Sequence, residues 1–200
     1  MKKRGARTSS AEAKPWMLLK ANALALPLRP ASLDFVLATP PHLGVKNLGA
    51  NEFCTGDARQ FRDLLEGVKR ECLRVLKPGA HVALNARQGR TRIFKPFDVL
   101  QKRRRGGQWR LEKVRTLVFR APYVDVEGFW WWALPVSVYA DLLRRYTRPG
   151  DVVAHVFCGS GNGGLAIVRA ARKAVMIDLH YHALSQRRMK RESRAPTGGC

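Results

Sequence analysis

DVVAHVFCGSGNGGLAIVRAARKAVMID, residues 151–178, carries four signals in a fixed order. Asp151 to Ala154 opens a strand, and Gly159-Ser160-Gly161-Asn162-Gly163-Gly164 makes a sharp turn. Leu165 to Arg172 has the small and apolar residues of a helix, and a second strand ends at Asp178. Strand, Gly-rich turn, helix, strand and acid form the pattern of a βαβ nucleotide cradle. Glycines let the chain turn sharply and let a ligand lie against bare backbone, at a helix start whose N–H groups point into the crevice. Asp178 falls about twenty residues after the turn, where a carboxylate takes hydrogen bonds from the two hydroxyls of a ribose. The pattern predicts a ribose-bearing cofactor; the bland alternative is a turn that only joins two elements. A nicotinamide dinucleotide stays open at this point, because the glycines also fit G-x-G-x-x-G loosely.

Reading outward, the same punctuation recurs. Val138 to Tyr146 has helical spacing and stops at Arg148-Pro149-Gly150. From Asp57 to Leu76 the apolar residues Phe61, Leu64, Leu65, Val68, Cys72, Leu73 and Leu76 repeat at helical intervals and stop at Lys77-Pro78-Gly79. Trp16 to Leu19, Asp34 to Ala38 and His81 to Asn85 read as strands, Phe97 to Lys102 as a short helix, and Trp109 to Arg120 as an edge-like strand with alternating charges. A last helix runs to about Lys190. Strands alternating with helices predict a mostly parallel α/β sheet. The 200 residues suffice for one domain, expected over 15–192, with an unstructured basic segment at 1–14 and a disordered tail at 193–200.

Charge narrows the partner. Lys and Arg number 37 against 15 Asp and Glu, a formal net charge of +22, so a polyanion is needed to relieve the self-repulsion. Nucleic acid is the first expectation, DNA ahead of RNA; an anionic membrane surface comes second. The longest apolar stretch, Phe129 to Ala140, is too short to span a bilayer and contains Pro135. The N-terminus has no apolar segment behind its charges, which predicts a cytoplasmic protein, nucleoid-associated or phage-encoded, with an organelle address as a minor alternative. The four cysteines are far apart with no C-x-x-C pair, so they are expected as reduced thiols with no metal site.

Ala38-Thr39-Pro40-Pro41-His42 ends the apolar strand that begins at Asp34. Two prolines in succession have no N–H to donate, so the carbonyls around them lie in a rigid extended path and can accept from a ligand amino group. Thr39 adds a hydroxyl acceptor and His42 a flat ring. Such a loop suits a planar base with an exocyclic amine, although alone it is also an ordinary strand terminator with a surface histidine.

The two loops together resemble the circularly permuted amino-methyltransferases of DNA, in which the loop that holds the target base precedes the cofactor loop. LLKANALALPLRPASLDFVLATPPHLG resembles the family's opening, VKRECLRVLKPGAHVALNA its helix, Lys-Pro-Gly turn and strand, and LPVSVYADLLRRYTRPGDVVAHVFCGSGNGGLAIVRAARKAVMIDL its cofactor half. The resemblance runs from about Trp16 to Arg188. It implies a Rossmann-like α/β methyltransferase fold with helices on both faces of a mostly parallel sheet, and S-adenosylmethionine as cofactor. The implied reaction is methyl transfer to N4 of cytosine or N6 of adenine, with Thr39 favouring the cytosine-type loop. Thr39, Pro40, Pro41 and His42 would hold the target amine. Phe157, Gly159, Ser160, Gly161 and Asn162 would surround the methionine part of the cofactor, Asp178 the ribose, Asn22 the adenine edge, and Pro135 the opposite side.

Several positions depart from the family pattern. His155 and Val156 stand where an acid and a proline are usual, His42 replaces a larger aromatic ring, and Asn22 replaces an acid. The usual target-reading insertion is reduced to a basic, aromatic stretch at about 102–132. There, Lys102, Arg103, Arg104, Arg105, Trp109, Arg110 and Trp130 are expected to bind nucleic acid through phosphates and unpaired bases. The second reading is a catalytically lapsed relative that binds DNA or RNA as a structural or assembly factor. Oligomeric state is not legible, a homodimer being one expectation.

Overall fold

The structure is a computed structural model and describes residues 14–41, 57–85, 94–126 and 133–192. In chain order its elements are β1 (Trp16–Leu19), β2 (Leu33–Ala38), α1 (Ala58–Val75), β3 (Leu76–Leu84), β4 (Phe94–Arg105), β5 (Gln108–Arg120), α2 (Val136–Tyr146), β6 (Val152–Val156), α3 (Asn162–Arg169), β7 (Lys173–Ile177) and α4 (His182–Glu192). The strands form one sheet in the order β1-β7-β6-β2-β3-β4-β5. β1, β7, β6, β2 and β3 pair in parallel, whereas β4 and β5 add an antiparallel hairpin at one side. The sheet is therefore mostly parallel, as the alternation of elements predicts.

Side-chain alternation along the buried strands assigns the helices to two faces. Phe35 and Leu37 of β2, Val153 of β6, and Ala174 and Met176 of β7 face a core shared with Val138, Tyr139, Leu142 and Leu143 of α2, Leu165 and Ile167 of α3, and Met189 of α4. Val36, Ala38, Ala154, Val156, Val175 and Ile177 face the other core, closed by Leu64, Val68, Cys72 and Val75 of α1. α1 starts where Asp57 accepts from the backbone N–H groups of Arg59 and Gln60. Asp34 joins three strands, accepting from Lys77 Nζ (2.6 Å) and from the Val152 N–H (2.9 Å).

The structure corrects three element boundaries. Phe97 to Lys102 is not a helix but part of β4, because Phe97 and Val99 enter one core while Leu100 enters the other, an alternation with period two. β3 begins at Leu76, so the Lys77-Pro78-Gly79 stop lies inside it, and α3 begins at Asn162, three residues before the expected Leu165. Of the stretch at about 102–132, expected as a short insert, residues 102–120 lie largely in the β4–β5 hairpin of the main sheet, and 127–132 lie outside the described residues. Cys72 and Cys158 are free and buried, and burial pushes the Cys72 thiol up to about 12; Cys54 and Cys200 lie outside the described residues.

Because five strands are parallel, their C-terminal ends share one edge of the sheet. That edge carries Asn22 after β1, Thr39 after β2, Asn85 after β3, Phe157 after β6 and Asp178 after β7. α3 reaches the sheet closely through Gly164, where a Cβ would come 1.9 Å from Met176 Sδ. Gly164→Ala should therefore cost about 1–3 kcal/mol, measured as a lower denaturant midpoint with an unchanged slope. An unshifted midpoint would contradict this packing.

Candidate functional site

The chain leaves β6 through a turn built on left-handed backbone. Phe157, Gly159 and Gly161 have φ of 59°, 49° and 84°. For Gly159 and Gly161 this costs little; for Phe157 it is a strained conformation held by its surroundings. The Cys158 N–H donates to the Ile177 carbonyl and the Gly161 N–H to the Cys158 carbonyl, which folds the turn back onto β7. Gly163 and Gly164 follow with a different task. A Cβ on Gly163 would come 2.3 Å from His155 Nδ1, so these two glycines let α3 lie close to the sheet.

Asp178 ties the turn to the next loop. Its Oδ2 accepts from the Gly159 N–H (2.8 Å), and its Oδ1 accepts from the N–H groups of His180 (2.8 Å) and Tyr181 (2.7 Å). The side chain stands at the end of β7, as expected, and it also braces the turn.

α4 supports the turn from behind. Arg188, 6% exposed, donates through Nη1 to the Ser160 carbonyl and to Asn162 Oδ1 (2.8 Å), while its Nε donates to Glu192 (3.0 Å). Ser185 Oγ donates to the Gly159 carbonyl. Asn162 Nδ2 donates to the Leu134 carbonyl (2.8 Å), drawing the segment before α2 to the turn, and Pro135 there is the N-cap of α2. Sequence reasoning does not single out Ser185 and Arg188. Their signal is their spacing with Met189, which puts two polar groups on the buried face of an otherwise charged helix.

The Pro-Pro loop meets the same turn. The Thr39 N–H donates to the Val156 carbonyl (3.2 Å) and Thr39 Oγ1 donates to the Phe157 carbonyl (3.0 Å). That hydroxyl also lies 3.2 Å from His155 Nε2. Its one proton goes to Phe157, so His155 carries its hydrogen on Nε2 and donates to Thr39. His155 Nδ1 is buried without a hydrogen-bond partner among the described residues, with the Tyr139 ring 5.0 Å from its own. His155 and Tyr139 thus belong to the site, the second of them unforeseen. Pro40 is buried and Pro41 half-buried beside Thr39, while His42 lies outside the described residues.

Asn22 and the basic stretch make none of these contacts. Asn22 is at the correct edge, but its Oδ1 closes a local turn by accepting from the Leu24 N–H (2.9 Å). Lys102 is 7% exposed and its Nζ donates to the Leu76 carbonyl (2.7 Å), so it is not a surface phosphate ligand; its stem follows the alternation of β4 inward. Arg103, Arg104, Arg105, Trp109 and Arg110 are exposed, but at the hairpin tip and not at the edge of the Gly turn. Trp130 lies outside the described residues.

No protein-family profile and no curated protein matches this chain. Solved structures do. A candidate DNA modification methylase from Thermus thermophilus aligns with a TM-score of 0.58 at 22% identity over 90% of this chain and 96% of its own. The same protein complexed with S-adenosyl-L-methionine aligns with a TM-score of 0.55 at 21% identity over 90% and 95%. The PvuII DNA methyltransferase, cytosine-N4-specific, aligns with a TM-score of 0.56 at 13% identity over 92% and 88%. At such identities the likeness establishes the fold, a Rossmann-like α/β methyltransferase fold.

Burial pushes the His155 imidazole down from its ordinary value to about 3. The folded chain keeps the ring neutral over a range where the unfolded chain protonates it. The stability this group contributes is complete above about pH 6.5 and is lost as pH falls toward 3, by up to about 1.4 kcal/mol per pH unit. His155→Asn removes that titration, so its melting temperature should fall less steeply than that of the wild type between about pH 6.5 and pH 4. Parallel curves would contradict a buried neutral imidazole.

Proposed function

We propose that this chain is an S-adenosylmethionine-dependent methyltransferase acting on an exocyclic amino group of a DNA base, N4 of cytosine ahead of N6 of adenine. The observation that carries the reading is the seam from Thr39 to Val156 and Phe157, which fastens the Pro-Pro loop to the start of the Gly turn. Each loop alone has ordinary structural uses. Fastened together at the C-terminal edge of a parallel sheet, they put a planar-amine site beside a nucleotide-type site, and positioning of this kind supplies much of a transfer rate. The solved relatives support it, since one was determined with S-adenosyl-L-methionine and another is cytosine-N4-specific. The order of the loops in the chain supports the circularly permuted type.

The residues present fit the cofactor. α3 has no side-chain cap, so the N–H groups of its first turn suit a carboxylate. Asp178 uses three hydrogen bonds on backbone, and a carboxylate has about four acceptor sites, which leaves capacity for a ribose hydroxyl. Gly159 and Gly161 leave the backbone bare, with Phe157 and Pro135 at its borders. Bound there, S-adenosylmethionine supplies an electrophilic methyl group.

The chain's own part is orientation. The Thr39 hydroxyl is engaged by Phe157 and His155, so it fixes the loop and leaves the Pro40 carbonyl as acceptor for the target amine. His42, next in the chain, would supply a ring that stacks on the base. The base must leave its helix to reach this edge, at a cost of a few kcal/mol that is smallest for unpaired or distorted strands. The second reading, a lapsed relative that binds nucleic acid, is favoured by one observation. Buried and neutral, His155 brings no negative charge to the cofactor's ammonium where the family pattern has an acid.

Calorimetry with S-adenosylmethionine separates the two. Measurable heat, weakened at least tenfold by Asp178→Ala, supports the transferase; no heat supports the lapsed binder. A labelled-methyl assay on duplex DNA, single-stranded DNA and RNA should place label on the exocyclic nitrogen, with Pro40→Ala strongly impaired. Label on carbon 5 of cytosine, or undiminished label with Pro40→Ala, would overturn the mechanism.

A further inference from the structure

The β4–β5 hairpin outruns the sheet it belongs to. β3 meets β4 from Leu84 opposite Asp98 to His81 opposite Gln101, yet the β4–β5 ladder continues through Lys102 and Leu111, Arg103 and Arg110, Arg104 and Trp109, to Arg105 and Gln108. Asp98 stands level with the C-terminal edge, and Arg105 lies seven residues farther along β4. At ~3.3 Å per residue the tip is roughly 23 Å away from that edge. β4 runs antiparallel to β3, so the tip projects from the opposite edge of the sheet.

Gly106 and Gly107, at φ 53° and 80°, close the tip as a two-residue turn of the kind that matches strand twist. Residues directly opposite each other share a face, so Arg104 and Trp109 lie on one side and Arg103, Arg105, Gln108 and Arg110 on the other. Lys102 roots the ribbon through the Leu76 carbonyl, and Trp109 is 42% exposed. Arg103 and Arg105 both reach Glu112, at 3.8 and 2.8 Å. Two of the tip's four arginines therefore share one carboxylate, and Arg103 stands directly across the ladder from Arg110. A like-charge pair in that position destabilises a ribbon. Closing a sheet edge does not require it, and a polyanion would offset it.

We propose that this tip is a second DNA contact, remote from the reactive edge, which enters the major groove of duplex DNA and takes phosphates on both sides of it. The major groove is wide enough for a two-stranded β-ribbon, and arginines on both faces meet both flanking backbones. The inference rests on the reading that the target base is held at the C-terminal edge. The tip and the target base would then lie roughly 23 Å apart, about seven base pairs at 3.4 Å each.

The test uses the full chain and a fluorescein-labelled 20-base-pair DNA duplex, with a single strand and a duplex RNA of the same sequence, titrated at several salt concentrations. The variant R103Q/R104Q/R105Q/R110Q should lose at least tenfold in duplex DNA affinity, and the slope of log affinity against log salt should drop by about 3 to 4, near 0.9 per phosphate contact. Glu112→Gln frees two arginines and should act in the opposite direction, tightening binding and steepening the slope by about 1. An unchanged slope in the quadruple variant, or equal losses on single strand and duplex RNA, would overturn the proposal. If neither wild type nor variant transfers a methyl group while the slopes change as stated, the transferase reading fails and the ribbon contact stands. Methyl transfer with unchanged slopes gives the reverse.

Discussion

The Thr39 hydroxyl is the joint on which this edge of the molecule depends. One oxygen donates to a carbonyl of the cofactor-type turn and accepts from an imidazole, so it ties two segments together within the protein. Parallel strands bring the ends of β2 and β6 side by side, but neighbouring ends do not by themselves fix two loops relative to each other. The side-chain bonds do that, within a buried space where an unmade bond is costly. Gly163 is part of the same arrangement, because only a residue without Cβ lets α3 lie against the imidazole that holds Thr39.

The turn is held from the opposite side by α4. A guanidinium that is almost fully buried has to find partners for its charge and its five N–H groups, and Arg188 finds them in Glu192, the Ser160 carbonyl and Asn162. Asn162 passes the constraint on to Leu134, and Ser185 adds a bond to Gly159. The strained backbone of Phe157 is thus clamped at both flanks, through Thr39 and through the α4 contacts. Such clamping is what allows an unfavourable φ to persist in a folded chain.

Much of this is legible in the amino-acid order, for identifiable reasons. The β6-turn-α3-β7 unit announces itself because glycine, apolar runs and a terminal acid each have a narrow range of structural uses. α1 is legible through seven apolar residues at helical spacing. Phe97 to Lys102 misleads because six residues cannot distinguish a helical period from a strand period when apolar and polar residues mix; the partner strands decide it. Lys102 misleads because charge identifies a surface residue only until a long stem finds a buried carbonyl. The roles of Ser185 and Arg188 depend on bonds between residues 26 apart in sequence, and that of Tyr139 on its packing against His155 of another element. No local pattern encodes them.

The two outer strands of the sheet have a consequence of their own. A bare strand edge invites another chain to continue the sheet, and aggregation follows where that edge is long, flat and apolar. β1 offers four residues only, and β5 is lined with Arg110, Lys113, Arg115 and Arg120 and interrupted by a register shift opposite Val99 and Leu100. Mutual repulsion at one border and brevity at the other make both poor templates for a further strand.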